Sequence, residues 1–319
     1  MNLRKLLSSG RPVLMEGALG ERLKTEYRLT PDANVALARF VYQVRGMDAL
    51  SKLWNEYYQI AADHGLPFLA TTPTRRAGRD FVLASAWSSD IIADNVKLLR
   101  HCLQERPGAP RFLGGLMGCR GDAYTGEGAL TESEARKYHS WQAELFSKSD
   151  VDFLFAGIMP TLPEAKGMAQ AMAATGLPYI ISFTIRKDGR LIDGTTIHDA
   201  IVSIDCGFYQ KPLCYMTNCV HPAIVFEALS QPFNRTDVVR ERFLGVQGNT
   251  SPLSYEELDH ALPGADLKSS APERFAEDML RLRKEFGLQI FGGCCGTDGR
   301  YLEETAKRIA ETDPEKTKK

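Results

Sequence analysis

The chain has 319 residues, with 39 Lys+Arg against 40 Asp+Glu for a net charge of −1. That balance lacks the basic excess by which a protein holds nucleic acid through its phosphates. Hydrophobic residues make up 44% and charged residues 25%, the proportions of a soluble globular chain with a sizeable core. No apolar run approaches the roughly 18 residues of a membrane span. The first ten residues carry charge but no apolar stretch of signal-peptide type. Seven cysteines, an odd count, are too few for a disulfide scaffold and suit a reducing cytoplasm.

Eight short apolar runs read as strands: Pro12–Met15, Pro67–Thr71, Arg111–Gly115, Val151–Ala156, Pro178–Phe183, Leu213–Thr217, Arg242–Val246 and Leu288–Phe291. Amphipathic segments lie between them. Over Asp48–Gly65, helical spacing puts Leu50, Leu53, Trp54, Tyr57 and Ala61 on one face. Thr131 with Glu134, Thr161 with Glu164 and Ser270 with Glu273 have the spacing of capping boxes. Gly176 and Gly287 stand where a left-handed residue would end the second and third of those helices. Length alone allows two domains of about 150 residues or one barrel of about 250 with insertions. Eight strand–helix repeats without a linker favour a single (β/α)8 TIM-type barrel over 1–311, with a doubly wound open sheet as the alternative. The polar segment 312–319 is expected to be a disordered tail.

A barrel places its chemistry in the loops that follow the strands. Strand 1 runs into Glu16-Gly17-Ala18-Leu19-Gly20, strand 6 into Asn218-Cys219, and strand 8 into Gly292-Gly293-Cys294-Cys295-Gly296-Thr297. Strands 6 and 8 of a closed barrel are separated by one strand, so Cys219, Cys294 and Cys295 can converge. Three thiolates suit Zn2+, which accepts sulfur at about 2.3 Å and keeps a fourth tetrahedral position for a substrate thiol. The flanking glycines tolerate the turn that would point two adjacent cysteines inward. A vicinal redox pair is the competing reading of Cys294-Cys295, although adjacent cysteines make a strained disulfide. Cys102, Cys119, Cys206 and Cys214 read as small hydrophobes.

On these motifs the chain resembles the homocysteine S-methyltransferase family. Val151–Ala165 and the Asp188–Thr195 segment add to the likeness, which extends from about residue 10 to 310. The resemblance implies a zinc-dependent (β/α)8 enzyme that moves a methyl group from an activated donor to the sulfur of homocysteine, giving methionine. The ligands carry over to Cys219, Cys294 and Cys295, and the strand 1 motif would line the substrate pocket at Glu16 and Gly17. The expected partners are thus a small-molecule thiol acceptor and a methyl donor, with no nucleic acid and no membrane. No Gly-x-Gly-x-x-Gly loop follows a strand, so a Rossmann-type S-adenosylmethionine site has no support. A small sulfonium or betaine-like donor fits better.

Three positions depart from the family pattern. Glu16 replaces the usual Asp, Ala156-Gly157-Ile158 stands where relatives often carry a glutamate for the substrate amino group, and Thr74-Arg75-Arg76 replaces an aromatic. Arginine binds carboxylates bidentately, so an anionic thiol or donor is a second reading, with Arg76 a candidate contact. Asn218 and Asn249 are further candidates at the barrel mouth. His221 is either a fourth metal ligand or a local structural residue; His198 and Asp199 read as surface. A third possibility is a non-catalytic barrel that binds zinc and a thiol within a methyl-transfer complex.

Overall fold

Seven of the eight strands are buried along their whole length, and the Arg111–Gly118 strand leaves only Arg111 and Leu116 partly exposed, as parallel strands covered on both faces require. In the computed structural model, which describes residues 2–104, 108–207, 209–253 and 269–314, the strands are β1 Val13–Met15, β2 Phe68–Thr71, β3 Arg111–Gly118, β4 Phe153–Met159, β5 Tyr179–Phe183, β6 Tyr215–Asn218, β7 Phe243–Gly248 and β8 Ile290–Gly293. They close in sequence order, all parallel. Leu14 pairs with Phe68 on one side and Phe291 on the other, which seals the ring. The open sheet is excluded. All eight expected runs are strands, displaced by a few residues at their ends.

The pleat sorts the core into two layers. Val13, Met15, Leu69, Phe153, Phe155 and Met216 face inward, where Leu3, Leu6 and Leu7 of the Leu3–Ser8 helix join them. Leu14, Phe68, Ala70 and Leu154 face outward, under the helices. The Val44–Asp63 helix buries Leu50, Leu53, Trp54, Tyr57 and Ala61, the face its spacing indicates. Among the described residues no helix is long and apolar enough to cross a membrane.

Of the three expected capping boxes, Thr131–Glu134 forms. Thr161 makes no cap hydrogen bond because Glu164, fully buried, accepts instead from the Arg120 and Leu130 amides and contacts His139. Ser270 turns its hydroxyl to His221, leaving Ala271 as an uncapped start of the Pro272–Phe286 helix. Tertiary partners outbid the local ones in both cases. Gly287 is the left-handed end of that helix at φ +74°, and Gly176 is likewise left-handed, at φ +76°, just past the Leu162–Ala173 helix. Thr312 and Asp313, the first residues of the expected tail, pack against the barrel: Asp313 is fully buried and pairs with Arg11 at 3.0 Å.

Candidate active site and metal centre

Strand β7 is the template for the site. Its last carbonyls, Gln247 and Gly248, accept the amides of Cys219 at 2.9 Å and Cys294 at 2.7 Å. The Thr250 amide donates to the Cys295 carbonyl, and Asn249 Nδ2 donates to the Cys219 carbonyl at 2.9 Å. Both cysteine-bearing loops are thereby docked on one strand end. Asn249 holds the Cys219 backbone rather than lining the cavity. Cys219 itself adopts φ +64°, a conformation that costs a non-glycine residue energy and tends to occur at functional sites.

The Sγ atoms of Cys219, Cys294 and Cys295 all lie within 4.8 Å of one another, with Cys219 and Cys295 at 3.5 Å. Hydrogen bonds from Cys294 and then Cys295 hold Cys219 well below the usual thiol range. The same contacts push Cys294 up, and Cys295 to about 12. Three crowded sulfurs share one negative charge poorly, which is the donor set a thiophilic dication neutralises.

The glycines of the strand 8 loop are there for close packing. A Cβ at Gly292 would lie 2.9 Å from the Glu16 carbonyl, and one at Gly293 would collide with Thr297 Oγ1 at 2.2 Å. Thr297 needs that space, since its hydroxyl donates to the Cys294 carbonyl at 2.7 Å and accepts the Ala18 amide at 3.2 Å. Gly17 is similarly constrained: a Cβ would sit 2.8 Å from the Tyr57 ring.

A cavity of about 340 Å³ opens beside the cysteines, lined by Glu16, Gly17, Asn218, Arg76, Cys294 and Cys295 among others. That volume suits small-molecule ligands. Glu16 is 3% exposed. Its Oε1 accepts the Thr71 hydroxyl at 2.5 Å and the Thr71 amide at 3.0 Å, and its Oε2 accepts Trp54 Nε1 at 3.1 Å. Burial outweighs these donors and raises the carboxyl to about 7. The spacing of Trp54 indicates core or helix packing first, with an aromatic box around a cationic donor left open, and Thr71 carries no motif; their bonds to Glu16 depend on the folded arrangement.

Asn218 Oδ1 accepts both the Ile158 amide at 3.0 Å and the Ser182 hydroxyl at 2.6 Å. Its Nδ2 faces Gly157, 3.7 Å from where a Cβ there would be, and Leu116 Cδ1 is 2.8 Å from the same point. At this corner the cavity presents an amide donor and a methyl group. Arg75, Arg76 and Lys24 line the wall elsewhere, with the Arg76 guanidinium 4.5 Å from the Phe81 ring centre. Tyr124 also lines it, and its side chain hydrogen-bonds Cys219. A lone tyrosine in a polar loop gave no sequence signal.

His221 is not placed as a metal ligand. Its Nδ1 accepts the Ala223 amide and its Nε2 contacts Ser270 Oγ at 2.9 Å, while burial lowers the ring to about 4. It caps the Pro222–Ser230 helix as a neutral imidazole. His198 bonds Thr236, and Asp199 bonds Thr196 at the start of the Ile197–Gly207 helix.

The profile of the family described as homocysteine S-methyltransferase matches residues 13–309. Betaine–homocysteine S-methyltransferase 1 of Danio rerio is 24% identical over 205 residues, which cover 56% of this chain and 46% of that protein. The Bos taurus protein of the same name is 23% identical over 196 residues, covering 56% and 45%. The chain thus spans about half the length of the curated relatives it matches. Among solved structures, the metallated form of the homocysteine methyltransferase MmuM from Escherichia coli aligns at TM-score 0.75 and 22% identity, covering 96% of this chain and 99% of that one. The apo form aligns at TM-score 0.67 and 20% identity. These structures share the fold.

Proposed function

The chain belongs to the homocysteine S-methyltransferase family, and we propose that it transfers a methyl group from an activated small-molecule donor, sulfonium or betaine-like, to the thiol of homocysteine, forming methionine. One observation carries the reading: Cys219, Cys294 and Cys295, from two distant loops, converge within 4.8 Å of one another, and two of them, Cys294 and Cys295, line a cavity that also holds Glu16. Three zinc–sulfur bonds of about 2.3 Å at tetrahedral angles set sulfurs about 3.8 Å apart. The 3.5 Å between Cys219 and Cys295 fits that spacing with little adjustment. Bound by these residues, zinc would supply the charge that keeps an acceptor sulfur deprotonated near neutral pH.

The chain's own residues do the rest. The β7 end holds the two cysteine loops together, and Gly17 leaves room for the Tyr57 ring packed against it. Glu16, raised to about 7, is poised to take the proton the acceptor thiol releases, at the Oε2 atom that has a single donor. The donor departs as a neutral molecule, so no general acid is needed. The barrier is set mainly by holding sulfur, methyl carbon and leaving atom in line. Tyr124 and Phe155 add aromatic faces to the cavity wall, which favour a cationic methyl centre.

A second reading rests on the corner at Gly157. An ammonium there meets Leu116 and the Asn218 amide donor instead of a carboxylate, and Arg75, Arg76 and Lys24 line the same cavity. An acceptor or donor whose far end is anionic suits that lining. Zinc-loaded protein incubated with homocysteine and S-methylmethionine or betaine should form methionine, read by mass spectrometry. If no thiol is methylated from any donor although zinc is bound, the transferase proposal falls and a non-catalytic zinc and thiol binder takes its place.

A further inference from the structure

A buried carboxylate costs desolvation energy unless hydrogen bonds fill its lone pairs. Glu164, fully buried at the start of the Leu162–Ala173 helix, fills them from the loop of residues 119–131 between β3 and the Glu132–Ser147 helix. Its Oε1 accepts the Arg120 amide at 2.8 Å and its Oε2 the Leu130 amide at 3.3 Å, while the buried His139 places Nε2 3.1 Å from Oε1. One side chain thus ties down both ends of a loop 34 to 44 positions upstream. Between the ties, the Asp122 amide donates to the Glu127 carbonyl at 2.8 Å, and the Asp122 carboxylate accepts the Tyr124 and Thr125 amides, each at 2.8 Å. Gly121 comes so close to the Glu127 carbonyl that a Cβ would lie 2.1 Å from it. Among the described residues, the one that this loop contributes to the cavity wall is Tyr124.

Phe155, the other aromatic residue of the cavity wall, belongs to β4 and is placed by the barrel itself. Tyr124 has no strand to place it. Its position depends on the loop, and the loop ends depend on Glu164. We propose that Glu164 is a positioning residue for the methyl donor, which keeps the Tyr124 ring at the cavity wall to face the donor's sulfonium or quaternary ammonium centre. The negative face of an aromatic ring attracts such a cation. The effect falls on the donor because the donor brings the methyl-bearing cation, whereas the acceptor is engaged through its sulfur. This inference rests on the methyl transfer proposed above.

Glu164→Gln keeps the shape and one acceptor oxygen but turns an NH2 group toward the second loop amide. In hydrogen exchange read by mass spectrometry, peptides within residues 120–130 of the variant should exchange about ten- to hundredfold faster, as loss of a hydrogen bond to a charged group implies. Peptides from β5 and β6 should be unchanged, which also shows that the barrel is folded. In zinc-loaded protein, KM for S-methylmethionine or betaine should rise about fivefold, the worth of one cation–π contact, with kcat and KM for homocysteine held within about twofold. Tyr124→Ala should raise the donor KM by the same factor, and adding Glu164→Gln to it should raise it no further. Tyr124→Phe, which keeps the ring, should stay near wild type. Asp122→Ala is exposed and spares the core; it removes the acceptor of the Tyr124 and Thr125 amides and should shift the donor KM as Glu164→Gln does, so the test survives if the buried variant does not fold. Unchanged loop exchange in Glu164→Gln, donor KM effects that multiply in the double variant, or a donor KM unmoved by Asp122→Ala overturns the role of Glu164 and leaves the proposed function standing. Wild-type protein that binds zinc but methylates no thiol overturns both.

Discussion

Cys219 Sγ and Cys295 Sγ stand 3.5 Å apart although 76 positions separate them in the chain. Both loops are docked on the end of β7, through the Gln247 and Gly248 carbonyls and the Asn249 side chain. Such a cluster is built by the barrel, and its competence as a metal site depends on the register of three adjacent strands.

This predicts a graded loss of zinc. Cys219→Ser or Cys295→Ser removes a ligand and should weaken zinc binding by more than the ten- to hundredfold that loss of an outer partner costs. Asn249→Ala leaves all three sulfurs and removes the hold on the Cys219 carbonyl, so its loss should fall within about ten- to hundredfold. Competition with a chromophoric chelator measures both. Equal affinities for Cys219→Ser and wild type would remove Cys219 from the metal set.

How much of this was legible in the sequence follows from the range of the interactions. The strands and the Val44–Asp63 helix were readable because burial on two faces or one stripe writes itself as local apolar spacing. The cysteine loops were readable because the strand count told which loops share the barrel mouth. Thr161 and Ser270 have cap spacing without capping, since the partner of Thr161, Glu164, is taken by the Arg120 amide and the Ser270 hydroxyl by His221 across the fold. Trp54, Thr71 and Tyr124 act through contacts with Glu16 or Cys219 that no spacing encodes. Asp313 reads as tail because it is polar, and its pairing with the Arg11 guanidinium across the fold is not written in local sequence.

Glu16 should leave a pH signature on stability. Its folded value of about 7 lies above its ordinary 4.5, so the folded protein keeps a proton that the unfolded chain releases. The associated stability is complete below about 4.5 and is lost as the pH rises to about 7, amounting to about 3 kcal/mol. Glu16→Gln has no such dependence; its amide also faces the Trp54 N–H, a penalty that does not vary with pH. Urea unfolding should therefore show the variant gaining about 3 kcal/mol relative to wild type between pH 4.5 and 7.5. A constant difference across that range would mean the carboxyl titrates normally in the fold.

Gly157→Glu tests which end of the acceptor the cavity was built for. Its Cβ must displace Leu116 Cδ1 from 2.8 Å, which the end of a flexible side chain can concede, and the new carboxylate would face the Asn218 amide donor. If the anionic reading holds, wild type should prefer 4-mercaptobutanoate to homocysteine, and Gly157→Glu should reverse the order. Arg75→Ala and Arg76→Ala should then raise KM for the anionic acceptor by about tenfold each, the worth of one charge-assisted hydrogen bond. Homocysteine preferred by wild type, with both arginine variants indifferent, would leave homocysteine as the acceptor and the arginines as solvated charges.

The C-terminal segment makes the last prediction. Asp313 is fully buried, and Arg11 reaches its Oδ2 through Nε at 3.1 Å and Nη2 at 3.0 Å, with the Arg11 side chain 13% exposed. Beside it, Arg283 bonds the Thr312 side chain and carbonyl and the Gly10 carbonyl, so chain start and chain end are joined beneath the barrel. Removing one partner takes two charge-assisted hydrogen bonds from the other. Asp313→Ala should cost about 2–3 kcal/mol, somewhat less than a fully buried pair because Arg11 retains some solvent. Arg11→Met, which fills the space without the charge, takes two charge-assisted hydrogen bonds from the carboxylate and should cost a similar amount, whereas the double variant Arg11→Met/Asp313→Ala should recover part of the loss. Urea midpoints for the four proteins close the cycle. Additive losses, with no recovery in the double variant, would mean the two side chains do not stabilise the fold through each other.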